Sequence, residues 1–165
     1  MKNLFLCGFM GCGKSSLGSA AAKKLGCPFI DLDRYIVEQA GMSVPEIFDT
    51  FGEAGFRERE TQALKDLNHL NGVIVATGGG ALVNPENASL CRERGLVLYI
   101  DVEFDTCYRR IRGDANRPLA AKPLPELRQL YQTRKLSYIK NSDLTIRNTF
   151  FKQTVDELVR IARQK

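Results

Sequence analysis

Gly8-Phe9-Met10-Gly11-Cys12-Gly13-Lys14-Ser15 spells G-x-x-x-x-G-K-[ST]. Glycines at that spacing let successive backbone N–H groups turn inward around phosphate oxygens. The motif lies between the apolar run Asn3–Cys7 and a stretch from Lys14 to Leu25 that is rich in Ala, Lys and Leu at helical spacing. Bound phosphates would therefore also meet the positive N-terminal end of a helix. This context assigns Gly11, Cys12, Gly13, Lys14, Ser15 and Ser16 to nucleotide binding. Lys14 is expected to bridge the β- and γ-phosphates, and Ser15 to offer its hydroxyl to Mg²⁺.

The chain lacks the other marks of a nucleotide switch. A GTPase or motor ATPase places a metal-binding Asp at the end of a second hydrophobic strand, but here Val73–Ala76 runs into Thr77-Gly78-Gly79-Gly80, and no Asn-Lys-x-Asp guanine-reading motif occurs. Three glycines after a strand bring bare backbone up to a ligand, which suits a small polar substrate. Asp31 and Asp33 flank Leu32 at the end of another short apolar run, and strand periodicity would turn both carboxylates to one side. That spacing separates two tasks: Asp31 serves the metal through a water, while Asp33, one step further from the phosphate loop, meets a substrate hydroxyl. The competing reading is that Asp33 only caps a helix starting at Arg34. Arg57 and Glu60 stand at i, i+3 on a predicted helix; alone, they read as a solvated ion-pair face.

These groups need a scaffold, and the chain supplies alternating elements. Short apolar strands are predicted at 3–7, 28–31, 73–76, 97–101 and 144–146, and helices at 14–25, 33–40, 53–70, 86–94, 103–112, 126–139 and 152–164. Ser43-x-x-Glu46 forms a capping box, and Asn84-Pro85 puts a cap residue ahead of a proline. Strands alternating with helices imply a three-layer α/β/α fold around a mostly parallel five-stranded sheet, with ligands at the carboxyl ends of the strands. One domain spans 1–165, with a core of about 1–108 and 126–165. Gly113–Pro125 carries three prolines and little apolar periodicity, and reads as a mobile surface lid within about 109–125.

Composition bounds the setting. At 165 residues, 44% hydrophobic and 26% charged, the chain can bury one core. No apolar run is long enough for a membrane span. Lys2 followed by Asn3–Met10 has the outline of a stunted secretion leader, but its apolar core is very short and Gly8 interrupts it. Five cysteines without a C-x-x-C pair, beside one histidine, His69, support neither a disulfide framework nor a zinc site. A reducing, cytoplasmic setting is expected, with no membrane partner. The net charge of +5 is uneven: nine Lys/Arg against Asp114 and Glu126 give Arg109–Lys140 a charge of +7. That points to a concentrated anion such as a polyphosphate rather than to nucleic acid, which would also want more aromatics than Tyr131 and Tyr138 among the basic residues.

Taken together, Gly8–Ser15, Asp31-Leu-Asp33, Gly52-Glu-Ala-Gly-Phe-Arg57-x-x-Glu60, Thr77-Gly-Gly-Gly80 and Arg117-Pro-Leu119 resemble the shikimate kinase family, in matching order over nearly the whole chain. The resemblance implies a nucleoside-monophosphate-kinase-like fold and an ATP-dependent phosphotransferase, active as a monomer, that phosphorylates the 3-hydroxyl of shikimate on the way to chorismate and the aromatic amino acids. By the family pattern, Asp33 contacts the substrate hydroxyls and takes the proton. Arg57 and Arg134 pair with the carboxylate beside the Gly78, Gly79 and Gly80 backbone. Ser15 and Asp31 serve Mg²⁺, Arg110 stacks on adenine, and Arg117 swings in from the lid as a catalytic group with Lys14. A gluconate-type or nucleoside monophosphate kinase shares loop and lid, but Asp33, Arg57 and the triple glycine favour a hydroxy acid over a nucleobase. Two features depart from the pattern. Tyr138-Ile-Lys-Asn-Ser-Asp143 replaces a more acidic segment, and Cys12 stands where Ser or Ala is usual, at a helix N-terminus that would make its thiol reactive.

Overall fold

A computed structural model describes residues 1–164. Five strands, β1 (Asn3–Cys7), β2 (Phe29–Asp31), β3 (Ile74–Ala76), β4 (Gly95–Asp101) and β5 (Leu144–Arg147), form one sheet in the order β2-β3-β1-β4-β5. Every pairing is parallel, so the expected mostly parallel sheet is wholly so. β1 lies at the centre, and all five of its residues are buried, which is why Leu4–Cys7 reads as an unbroken apolar run. β5 is an edge strand and buries only Ile146.

The helices are α1 (Lys14–Leu25), α2 (Leu32–Ala40), α3 (Val44–Leu67), α4 (Pro85–Arg92), α5 (Phe104–Ile111), α6 (Leu124–Asn141) and α7 (Phe151–Arg163), with 3-10 turns at Ala81–Val83 and Pro118–Ala121. α1 packs with α7, whereas α4 and α6 pack against β4 and each other. Local chemistry sets several ends. The Asn84 side chain accepts from the Glu86 N–H at 2.9 Å. The capping box closes reciprocally: Ser43 Oγ accepts from the Glu46 N–H at 3.2 Å and donates to the Glu46 carboxylate at 3.0 Å.

That box starts a helix nine residues ahead of the predicted 53–70 element. α3 runs through Gly52, where φ 71° and ψ 179° break the helical path and bend it. A second correction concerns the carboxylates. Leu32 already belongs to α2, so Asp31 ends a strand and Asp33 sits in the first turn of a helix; strand alternation therefore does not place them. Asp31 is the cap, its carboxylate accepting from the Arg34 N–H at 3.2 Å. Asp33 is thereby free of the capping role. The cysteines are packing residues: all five are unpaired, and burial pushes the Cys7, Cys91 and Cys107 thiols up to about 12.

Candidate active site

β1 delivers the chain into the glycine loop at its carboxyl end, and α1 begins at Lys14. Gly8, Gly11 and Gly13 all have positive φ, as the inward turn requires. The Lys14 ammonium is buried against its own loop, donating to the Gly8 carbonyl at 2.7 Å and the Phe9 carbonyl at 3.1 Å. Arg110, on α5, donates to the Gly11 carbonyl at 2.9 Å, and Asn148, just past β5, to the Cys12 carbonyl at 3.1 Å. These contacts fix the loop from two sides. The expected reactivity of Cys12 does not fit: its thiol is 1% exposed, turned away from any reagent.

A cleft of about 920 Å³ runs from this loop across the sheet end, lined by Gly11, Gly13, Lys14, Ser15, Ser16, Asp31, Asp33, Gly78, Gly79, Arg110 and Arg117. Asn148, Thr149 and Phe151 also line it. Motif reading missed these three; the available signal was their place after a parallel strand, where ligands collect. The Ser15 hydroxyl donates to Asp31 Oδ2 at 2.5 Å. This pair of hard oxygen donors, backed by no other ligand cluster among the described residues, suits a cation that completes its shell with waters and phosphate oxygens, as Mg²⁺ does.

A smaller pocket adjoins the cleft. Asp33, Arg57, Glu60, Gly78, Gly79, Gly80 and Arg134 line it under the lid residues Asn116–Leu119, with Met10, Val44, Phe48 and Phe56 as apolar walls. The side chains come from α2, both halves of α3, the turn after β3, the lid and α6, so every proposed substrate residue meets here. Burial and the nearby Asp31 raise the Asp33 carboxyl above its ordinary range, while Lys14, Arg117 and Arg57 pull it down. Its Oδ1 is buried without a hydrogen-bond partner among the described residues.

Arg57 and Glu60 do not form a solvated face. Glu60 is 0% exposed, and Arg57 Nη1 sits 2.6 Å from its Oε1. A second acid, Glu53, contacts the same guanidinium at 3.3 Å. Burial pushes the Glu60 carboxyl up to about 7 against the opposing pull of Arg57, and its Oε2 has no partner among the described residues. Glu60 stood in the quoted motif with no role of its own; only its depth makes it notable. Arg134 is 6% exposed, and none of the ion pairs among the described residues includes it. Arg117 is held by Asp114 at 2.9 Å within the lid.

A glycine phosphate loop between a central parallel strand and its helix, and a second pocket at the sheet's carboxyl end covered by the segment Asn116–Leu119, define a P-loop kinase of the nucleoside-monophosphate-kinase-like type. Its fold resembles that of a Mycobacterium tuberculosis APS kinase, with a TM-score of 0.64 at 16% identity over 99% of this chain and 98% of that one, a likeness of fold alone. The shikimate kinase family model matches residues 10–162. A Geobacter sulfurreducens shikimate kinase is 42% identical over 162 residues, 98% of this chain and 89% of that protein. A shikimate kinase from Acinetobacter baumannii, solved in complex with shikimate, superposes with a TM-score of 0.91 at 34% identity, covering 97% and 92% of the two chains. The chain belongs to the shikimate kinase family.

Proposed function

We propose that this chain transfers the γ-phosphoryl group of ATP to the 3-hydroxyl of shikimate, giving shikimate 3-phosphate and ADP for chorismate and aromatic amino acid synthesis. Arg134 carries the reading for an acid substrate: its buried guanidinium has no carboxylate at ion-pair distance among the described residues and lines the pocket with Arg57. An unpaired buried charge is costly, and two guanidinium forks match the planar carboxylate of a small acid better than lysines would.

The roles are those of the family pattern, supported by the cleft and the pocket that these residues line. ATP lies along Gly11–Ser16, with Arg110 against the base and Arg117 over the phosphates. Ser15 and Asp31 would hold Mg²⁺, which when bound would shield charge on the phosphates. The substrate oxygen attacks the γ-phosphorus as the bond to the β-phosphate oxygen breaks, and its proton passes to Asp33, whose unpartnered Oδ1 is the acceptor. Lys14 and Arg117 neutralise charge on the transferring group. Most of the rate gain is alignment, with the lid excluding the water that would hydrolyse ATP. One chain supplies every group, so a monomer suffices, and unpaired cysteines suit a cytoplasmic setting. No helix among the described residues is long and apolar enough to cross a membrane.

Purified protein incubated with ATP, Mg²⁺ and a panel of hydroxy acids, with ADP release followed, tests the reading. Turnover should be strongest with shikimate; a preference for gluconate or a nucleoside monophosphate would overturn it.

A further inference from the structure

The peptide between Gly79 and Gly80 has every freedom to rotate and is nevertheless held. A Cβ on Gly79 would come within 3.3 Å of Arg134 Nη1, and one on Gly80 would overlap the Arg57 guanidinium. Neither residue has positive φ, so what glycine provides at both positions is clearance for the two arginine side chains rather than access to a special backbone conformation. The consequence is a Gly-Gly link with minimal intrinsic stiffness.

Stiffness comes from behind. The hydroxyl of Tyr138, on α6, donates to the Gly79 carbonyl. Further along the turn, Asn87 donates to the Ala81 carbonyl at 2.9 Å, and Asn141 to the Leu82 and Val83 carbonyls at 3.0 and 3.2 Å. Tyr138 is 1% exposed and its ring stacks on Tyr99 with centroids 5.3 Å apart, so the phenol has little room to move. The C=O and N–H of a trans peptide point in opposite directions. Fixing the Gly79 oxygen toward α6 therefore turns the Gly80 N–H the other way, and it has no backbone acceptor among the described residues.

We propose that Tyr138 is a positioning residue, whose hydroxyl locks the Gly79–Gly80 peptide so that the Gly80 N–H meets the substrate carboxylate beside Arg57 and Arg134. This rests on the assignment of an acid substrate made above. A phenylalanine would fill the same space against Tyr99, so the hydroxyl is the part that matters.

Steady-state kinetics of Tyr138→Phe, with each substrate varied in turn, test the role. The KM for shikimate should rise about tenfold while the KM for ATP stays within about twofold, because one hydrogen bond to one pocket is lost. An analogue with the carboxylate reduced to an alcohol should show no such penalty, since the Gly80 N–H then has no anion to meet. An unchanged shikimate KM, an equal rise in both KM values, or the same penalty with the reduced analogue would each overturn the proposal. Should the variant not fold, titration of shikimate into ¹⁵N-labelled unmodified protein decides: the Gly80 amide proton should move downfield, and a stationary resonance refutes the contact. Absence of shikimate turnover by the unmodified protein would defeat the functional reading, and the positioning role with it. Turnover with an indistinguishable Tyr138→Phe would defeat the positioning role alone.

Discussion

Two carboxylates that line the same pocket have separate tasks because their neighbours differ. Asp33 faces Lys14, Arg57 and Arg117, whereas Glu60 is spent on Arg57 at 2.6 Å. Lys14→Ala or Asp33→Ala should each lower kcat by at least ~100-fold, the usual scale for a charge-stabilising or acid–base group; near-native turnover in either would show the group to be misassigned. Glu60 makes a thermodynamic prediction. Its folded carboxyl titrates at about 7 against an ordinary 4.5, so between those values the folded state binds more protons than the unfolded one. Stability due to this group is thus fully present below the lower value and is lost as pH rises through the upper. Urea unfolding across that window should show the parent losing stability relative to Glu60→Gln as pH increases, then running parallel above it. A difference that grows in the parent's favour would reverse the sign and refute the argument.

At the scale of elements, the bend in α3 is what lets one helix serve two walls of the pocket. Val44 and Phe48 line it from before Gly52, and Arg57 and Glu60 from after; Phe48 returns onto Phe56 with ring centroids 5.0 Å apart. With φ 71° and ψ 179°, Gly52 occupies a region essentially closed to other residues. Gly52→Ala should therefore cost about 1–3 kcal/mol, read as a lower midpoint in chemical denaturation. A Cβ there would meet nothing within 4 Å, so the loss would be conformational and not a clash. Unchanged stability would mean that the helix can straighten at no cost.

Across the whole molecule, the site exists only where the sheet's carboxyl edge, the α2–α3 arm and the lid come together. The lid touches the pocket through Asn116, Arg117, Pro118 and Leu119, and its exposed Arg112, followed by Gly113, is a trypsin target. ATP and shikimate together should slow cleavage in this segment more than either alone, since closure joins contacts to both. Cleavage indifferent to ligands would sink the lid assignment.

The amino-acid order by itself determined the phosphate loop, the strand positions, the capping box and the residue types that meet in the pocket. Those signals are local: a turn needs its glycines and a buried parallel strand its apolar run, whatever lies elsewhere. Fold class followed, because parallel neighbours force helical crossovers. Tertiary structure alone decided that Glu60 is buried rather than solvated, that Cys12 is shielded, and that Asn148, Phe151 and Tyr138 border the working groups. Each of these depends on burial or on contact between segments far apart in the chain, and neither residue type nor spacing encodes what will lie on the other side of a side chain once the layers close.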